Sequence, residues 1–257
     1  MSQTTPSTAG PLTVVLVHGA FADASSWTSV IERLQASGVQ VTAPANPLRG
    51  LSSDSAYLAS LFDQTPGPVL AIGHSYAGAV VTNAATTARN VVGLVYVAAF
   101  ATDEGERLSD ATSTSKDSVL NTALVPLHYP TGQGAQTAVE FAVDPAHFHE
   151  AFAADLPAEQ ATVMAATQHP VAELAFSEPS GVPAWKTLPS WAVVATGDKA
   201  AGSDVIRSMA QRAGGDDHRG RGLPRDHDFA ATGRYRCDPE RNRCRQRSGW
   251  ATAVVSW

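Results

Sequence analysis

A serine set between very small residues is the feature of the sequence that most directly suggests chemistry. Ser75 is the third residue of GHSYAG (73–78), which follows the apolar run 69–72 and precedes the small, apolar segment 79–88. A buried strand, a sharp turn and a helix form the context in which a hydrolase exposes a nucleophilic serine. The residues two positions either side must be nearly without side chains, as Gly73 and Ala77 are. Ser75 is therefore the candidate nucleophile. The alternative is a glycine-rich turn with an incidental serine.

The helix that follows Ser75 adds to this interpretation. Its first N–H groups and the positive end of its dipole favour a developing oxyanion. Elsewhere, short apolar runs alternate with segments of helical character. The predicted strands are 12–17, 39–43, 69–72, 91–98 and 191–195, and the predicted helices are 27–36, 53–62, 79–88 and 203–213. This alternation predicts an α/β fold with a mostly parallel central sheet flanked by helices. Ligands bind at the carboxyl ends of such strands, where 18–20 and Ser75 both lie.

The domain organisation follows from where this alternation stops. We predict a core over 1–102 and 186–214, interrupted by a helical cap over 103–185, with an atypical, irregular tail over 215–257. Within the cap, 135–142, 145–154 and 158–167 are predicted helices without strand signals between them. The cap histidines lack metal-ligand spacing, and we interpret them as structural or pocket-lining. They are His128, His147, His149 and His169.

Composition, net charge and cysteine content exclude several classes of protein. At 257 residues, 44% hydrophobic and 16% charged, the chain is typical of one globular domain with an insertion. The net charge of −6 argues against nucleic acid or an anionic membrane as partner. No secretory signal is recognisable, so a cytoplasmic location is expected. Two cysteines, Cys237 and Cys244, indicate neither a disulfide framework nor a metal site. We expect no cofactor, a small-molecule substrate, and a monomer or homodimer.

Three stretches, in this order, resemble the α/β-hydrolase superfamily. They are VLVHGAFADASSW (15–27), AIGHSYAGAV (71–80) and WAVVATGDKA (191–200). The sequence is most similar to small single-domain bacterial esterases and to the plant methylesterase and hydroxynitrile-lyase branch. The resemblance covers about residues 12–213 and implies a serine mechanism on a capped α/β-hydrolase fold.

The resemblance also implies roles for individual residues. Ser75 would be the nucleophile and Asp198 the acid that orients a histidine, while the backbone N–H groups of Ala20 and Tyr76 would form the oxyanion hole. This agrees with the chemistry, because a serine needs a base, the base an orienting group, and the tetrahedral intermediate two donors. Asp103, which follows the strand ending at residue 98, is the rival acid.

Three further residues lie beside these strand ends. Phe21 and His74 are assigned to the substrate pocket. His18 and His74 are each fixed beside their own strand, so we interpret them as residues that brace loops rather than as bases.

The third member of the triad is missing from its usual place. The family has a further strand followed by Gly-Ser-His and apolar residues. Here, residues 215–247 contain nine of the chain's 18 Lys and Arg, no Val, Ile or Met, and Leu223 as the only Leu. No buried strand is predicted from this composition.

A shift in reading frame would explain the change at Gly215. Read one base later, Asp and His codons become codons for Ile, Thr or Met. With codons chosen freely, 215–231 can be reread as ATITEVEGSHVIMISQP, which restores a strand, Gly-Ser-His and an apolar run. We hypothesise that the tail is a frameshifted ending, which the gene sequence would test. The alternative is a genuine basic, disordered tail.

Two histidines of the tail could replace the absent base. His227 is nearest to the expected position, and His218 is the alternative. Without any base, the oxyanion hole alone would leave a residual acceleration of ~10³–10⁴ over water.

The predicted function is that of a serine carboxylic-ester hydrolase for small, apolar esters. One alternative is a lyase or lactonase on the same site, because fold does not fix function. Another is an inactive or ligand-binding protein of the same fold, which the missing histidine favours. Cyanohydrin, lactone and ligand-binding assays separate these alternatives.

Overall fold

The computed structural model describes residues 10–214, together with the backbone of 216–220, 236–238 and 243–245. The first part of the chain alternates between strands and helices. It forms β1 (Thr13–Val17), a 3₁₀ turn (Ala24–Trp27), α1 (Thr28–Ala36), β2 (Gln40–Thr42), α2 (Leu51–Gln64), β3 (Val69–His74), α3 (Ala77–Ala84) and β4 (Val91–Val97). Each apolar run predicted as a strand in this part forms one, which confirms the α/β alternation.

The middle of the chain forms the cap. It contains α4 (Leu108–Thr114), a 3₁₀ turn (Leu120–Ala123), β5 (Leu124–Pro130), β6 (Thr137–Val143), α5 (Phe148–Phe152), α6 (Ala158–Thr167), β7 (Val171–Ala172), α7 (Leu174–Ser177) and a 3₁₀ turn (Ala184–Lys186). The chain then returns to the core. It forms β8 (Ser190–Ala195), α8 (Ser203–Arg212), β9 (Asp216–Gly220), β10 (Arg236–Asp238) and β11 (Arg243–Arg245).

The central sheet has six strands in the order β2-β1-β3-β4-β8-β9. All five neighbouring pairs are parallel. Their carboxyl ends therefore lie along one edge, which carries the loop after β1, the turn after β3 and the loop after β8. This is the mostly parallel sheet, flanked by helices, that the sequence predicts.

Alternation along the strands divides the core into two layers. In β1, Val14 and Leu16 pack with Trp27 and Leu34 on one face of the sheet. Val15 and its neighbours on the other face join a larger cluster that includes α2, α3 and the cap. A strand buried on both faces has no polar position, which explains the continuous β-branched run in the sequence.

The cap contains both sheet and helix, so the prediction of a helical cap was wrong in part. β5, β6 and β7 form an antiparallel sheet, and β6 occupies 137–143, where a helix was predicted over 135–142. The alanines there suggested a helix, but Thr137, Val139, Phe141 and Val143 recur at every second position, which is the strand period. The helix predicted over 158–167 is present as α6.

The tail also differs from the prediction that it is irregular. β9 pairs in parallel with β8, from Trp191 opposite Asp216 to Ala195 opposite Gly220. β10 and β11 form an antiparallel pair. Strand pairing uses backbone N–H and C=O groups, which every residue here supplies, so a polar segment can add to the edge of a sheet without a hydrophobic pattern.

Within residues 10–214, no helix is both long enough and apolar enough to cross a membrane.

Candidate active site

Ser75 is held in a strained backbone conformation between β3 and α3. Its φ of +52° lies in the left-handed region, which residues other than glycine rarely adopt. The carbonyl oxygen of Ser75 accepts hydrogen bonds from the N–H groups of Gly78 (3.0 Å) and Phe100 (3.2 Å), and its own N–H donates to the Val97 oxygen (3.3 Å). These bonds fix the sharp turn expected from the sequence and leave the side chain half-buried at the head of α3.

Two glycines allow α3 to lie directly on its neighbours. A Cβ at Gly73 would be 2.6 Å from the oxygen of Ala77, and one at Gly78 would be 2.8 Å from the Cβ of Ala99. Real Cβ atoms do not approach other atoms so closely, so both positions require glycine. The small residues of GHSYAG therefore set the distance between the serine and the sheet.

The loop after β1 lies against the serine. Val17 of β1 is opposite Gly73 of β3, so the chain leaves both strands at the same level. A Cβ at Gly19 would be 2.8 Å from the Cβ of Ser75. Ala20, whose N–H is a proposed oxyanion donor, follows Gly19 and is buried. The structure thus brings the loop of Ala20 together with Ser75 and Tyr76.

His18 is occupied on both sides of its ring. Its Nε2 accepts a hydrogen bond from the Asn46 N–H (2.8 Å), so Nδ1 carries the proton and donates it to the Gly19 oxygen (2.9 Å). Burial lowers the pKa of His18, which keeps the ring neutral. His18 therefore braces the loop that carries Ala20 and has no free nitrogen with which to act as a base.

His74 is packed into the core beside Ser75. Its ring meets that of Trp27 edge-on, with 6.4 Å between centroids. Burial, with a smaller contribution from His18, lowers the pKa of His74 to about 4. This neutral, packed ring is suited to bracing the turn, which was one of its two expected roles.

Asp198 lies in the loop at the carboxyl end of β8. One of its carboxylate oxygens, Oδ1, accepts hydrogen bonds from the N–H groups of Ala200 and Ala201, both at 2.9 Å. Its own N–H donates to the Ser203 hydroxyl (3.0 Å), which fastens the loop to α8. Burial raises the pKa of Asp198, and the two N–H groups oppose this by favouring the anion. This arrangement orients the carboxylate through one oxygen.

Asp103, the rival acid, is engaged elsewhere. Its carboxylate forms an ion pair with Lys186 (2.6 Å) and accepts a hydrogen bond from the Glu104 N–H (2.8 Å). The hydrogen bond with Lys186 lowers the pKa of Asp103. The Asp103 carboxylate is therefore already held by Lys186 and Glu104, whereas Asp198 is held through one oxygen.

Of the two candidate bases, His218 belongs to β9, whose backbone the structure describes, and His227 does not lie in a described segment. In the register of the sheet, His218 is level with Val193, Val97 and His74. Three strand spacings of about 4.8 Å, about 14 Å in all, separate the backbones of His218 and His74. His227 lies outside the described residues. The last residue of β9, Gly220, is opposite Ala195 of β8.

An aromatic cluster from core and cap includes Phe21 and the ring of Tyr76, the residue that follows Ser75. Phe21, itself at φ +60°, contacts Phe152 edge-to-face (6.0 Å) and stacks with Phe176 (6.4 Å). Phe176 also contacts the ring of Tyr76 at 6.2 Å, and Phe148 supports Phe152 at 5.0 Å. Phe21 was expected here, whereas the cap phenylalanines were missed because nothing in the sequence indicates how the cap folds over the core.

Arg49 attaches the cap to the core. Its guanidinium pairs with Glu140 of β6 (2.6 Å), donates to the Pro170 oxygen (3.0 Å) and lies 4.9 Å from the ring centre of Tyr129. It also lies 3.4 Å from Nε2 of His169. The other three cap histidines, His128, His147 and His149, are exposed.

A buried carboxylate beside the site was also missed from the sequence. Asp54 of α2 is fully buried and accepts a 2.7 Å hydrogen bond from the hydroxyl of Tyr76. Its signal, an acidic residue in the first turn of a helix, is common on exposed surfaces and so did not stand out. Within residues 10–214, no group of three or more His, Cys, Asp or Glu residues could hold a metal ion.

Comparison with known proteins places this geometry among hydrolases. The model of the Alpha/beta hydrolase family matches residues 14–233. Polyneuridine aldehyde esterase is 17% identical over 83% of this chain and 92% of that chain, with a TM-score of 0.68. The methylesterase MES16 from Arabidopsis is 19% identical over 80% and 87%, with a TM-score of 0.64. The pyrethroid hydrolase PytH is 20% identical over 82% and 90%, with a TM-score of 0.61. No curated protein sequence matches the chain.

Proposed function

Because the chain belongs to the alpha/beta hydrolase family, we propose that it is a serine carboxylic-ester hydrolase acting on small, apolar esters. The observation that carries the proposal is the strained turn at Ser75. This turn lies at the head of α3 and against the loop that contains Ala20. The similarity of the fold to an esterase, a methylesterase and a pyrethroid hydrolase supports hydrolysis as the reaction.

Acylation begins when the Ser75 oxygen attacks the carbonyl carbon of the ester. The serine proton passes to the histidine base, for which we propose His227. The carbonyl oxygen becomes an oxyanion that accepts hydrogen bonds from the N–H groups of Ala20 and Tyr76. When the tetrahedral intermediate collapses, the histidine returns the proton to the departing alcohol, and the acyl group remains on Ser75.

Deacylation repeats these steps with water as the nucleophile. The histidine takes a proton from water, which attacks the acyl carbon, and Ser75 regains its proton as the acid leaves. Asp198 holds the histidine in the productive tautomer and stabilises its charged form. The bonds from Ala200 and Ala201 to one oxygen of Asp198 leave the other oxygen for this role.

The aromatic cluster supports an apolar substrate. Phe152 and Phe176 are half-buried and present ring surface beside Phe21. An apolar acyl or alcohol group would gain about 25 cal/mol for each Å² of surface that it buries there. A charged substrate group would lose its hydration against the same aromatic rings, which offer it no opposite charge in exchange.

A time course of p-nitrophenyl acetate hydrolysis by the purified chain, beside its Ser75→Ala variant, tests the proposal. Sustained release of nitrophenol that the variant lacks is the expected result. Equal, slow release by both proteins would mean that Ser75 is not activated, and the chain would then be an inactive or ligand-binding member of the family. A His227→Ala variant tests the base separately: unchanged turnover would exclude His227.

A further inference from the structure

Asp54 is a buried acid that the reaction itself does not use. Its exposed fraction is 0%, and no ion pair of residues 10–214 involves it. A carboxylate taken out of water is destabilising unless hydrogen bonds replace its hydration. Its presence in the core therefore requires a structural reason.

Hydrogen bonds to Asp54 come from both sides. Oδ2 accepts from the hydroxyl of Tyr76 (2.7 Å), and Oδ1 accepts from the N–H of Arg49 (3.1 Å) and the hydroxyl of Ser53 (3.5 Å). The carboxylate also lies at the N-terminal end of α2, where the helix dipole favours negative charge. Asp54 is thus fixed in the core and aimed at Tyr76.

Tyr76 is held at two points as a result. Its backbone is in the helical conformation (φ −48°, ψ −38°) as the first residue before α3, and its oxygen accepts from the N–H of Ala79 (3.1 Å). At the other end of the side chain, the hydroxyl is bound to Asp54. The buried ring between these points cannot shift without breaking one of them.

We propose that Asp54 is a positioning residue that, through the hydroxyl of Tyr76, holds the Tyr76 N–H where it stabilises the oxyanion. The inference rests on the proposed function, because it takes the Tyr76 N–H as an oxyanion donor. A donor aimed at the place where charge develops needs no reorganisation during the reaction, and small displacements weaken it. The hydrogen bond between the Tyr76 hydroxyl and Asp54 supplies this rigidity from outside the turn at Ser75.

The test measures oxyanion stabilisation without turnover. Phenylboronic acid adds to a serine: the Ser75 oxygen bonds to boron, its proton passes to solvent, and a boronate oxygen occupies the oxyanion position. The dissociation constant is measured by calorimetry for the wild type and for Asp54→Leu, which has no acceptor, Tyr76→Phe and the double variant. Tyr96→Phe is the matched control, because Tyr96 is an equally buried tyrosine whose hydroxyl bonds to Thr82 (2.7 Å).

We expect each single variant to bind phenylboronic acid about tenfold more weakly. The double variant should bind no more weakly than Tyr76→Phe, because both changes remove the same hydrogen bond, that between Tyr76 and Asp54. Tyr96→Phe binds as the wild type does. With p-nitrophenyl acetate, the same variants lower kcat and leave KM unchanged, because the oxyanion exists only after attack. If one single variant does not fold, the other carries the test.

Three results would overturn the inference, and each has a different meaning. If the wild type binds the boronic acid no better than Ser75→Ala does, the proposed function fails and the positioning role fails with it. If binding depends on Ser75 but Asp54→Leu and Tyr76→Phe bind as tightly as the wild type, only the role of Asp54 is wrong. A loss shared equally by Tyr96→Phe would indicate a general packing effect and would also overturn it.

Discussion

Gly19 leaves no room for a side chain beside Ser75: a Cβ at position 19 would stand 2.8 Å from the Cβ of Ser75 and 2.9 Å from the oxygen of His74. The two residues come from adjacent strands and meet because Val17 and Gly73 are at the same level of the sheet. The position of the serine and that of the loop carrying Ala20 therefore depend on each other.

Gly19→Ala is expected to reduce kcat/KM for p-nitrophenyl acetate by about 100-fold, because a displacement near 1 Å at the reacting atoms costs about that much. Gly197→Ala is the matched control: a Cβ there has no atom within 4 Å, so activity should persist. Both variants are compared at equal folded fraction by circular dichroism. Full activity in Gly19→Ala would show that the serine and the loop of Ala20 move independently.

Asp198→Asn and Asp103→Asn separate the two candidate acids. An amide cannot stabilise the charged histidine, so Asp198→Asn is expected to lower kcat by about 10³- to 10⁴-fold, as in the studied triad. Asp103→Asn removes only the ion pair with Lys186 and is expected to leave kcat unchanged, with a loss of stability of at most about 1 kcal/mol. The opposite pattern in steady-state kinetics would assign the role to Asp103.

His74 predicts a dependence of stability on pH. Burial lowers its pKa to about 4 in the folded protein, against about 6.5 in the unfolded chain. Between these values the unfolded chain binds the proton and the folded protein does not, so the stabilisation is complete above pH 6.5 and is lost as the pH falls towards 4.

We therefore expect the free energy of unfolding of the wild type to fall by up to about 3 kcal/mol more than that of His74→Gln between pH 7 and pH 4. Urea titrations at several pH values measure this difference. His128→Gln, at an exposed position of the cap, is the control and should follow the wild-type curve. Parallel curves for the wild type and His74→Gln would mean that His74 takes up a proton equally in both states.

Local signals predicted the strands of the core and the sharp turn at Ser75. The β-branched run of β1 and the small residues around Ser75 specify strand and turn through their own shapes, so the sequence sufficed for them. The same holds for α6, whose bounds match the prediction.

Features that depend on partners distant in sequence were not predictable in this way. β6 is a strand because β5 and β7 pair with it on either side, and the alanines in it gave the wrong period. β9 is held by strand pairing with the backbone of β8, and such pairing does not require particular side chains that the sequence would reveal. Asp54 gains its significance only because the fold places Tyr76, 22 positions later in the chain, within 2.7 Å of it.

The close packing of α3 also determines which positions of this protein tolerate substitution. A Cβ at Gly73 or Gly78 would collide with backbone atoms, and α3 is almost entirely buried. Substitutions in this segment therefore disturb the position of Ser75 first. Phe152 and Phe176 are half-buried and belong to the cap, which is anchored separately through Arg49. Directed-evolution libraries randomised at these two phenylalanines should therefore diversify the accepted substrates while most members still fold with the serine in place.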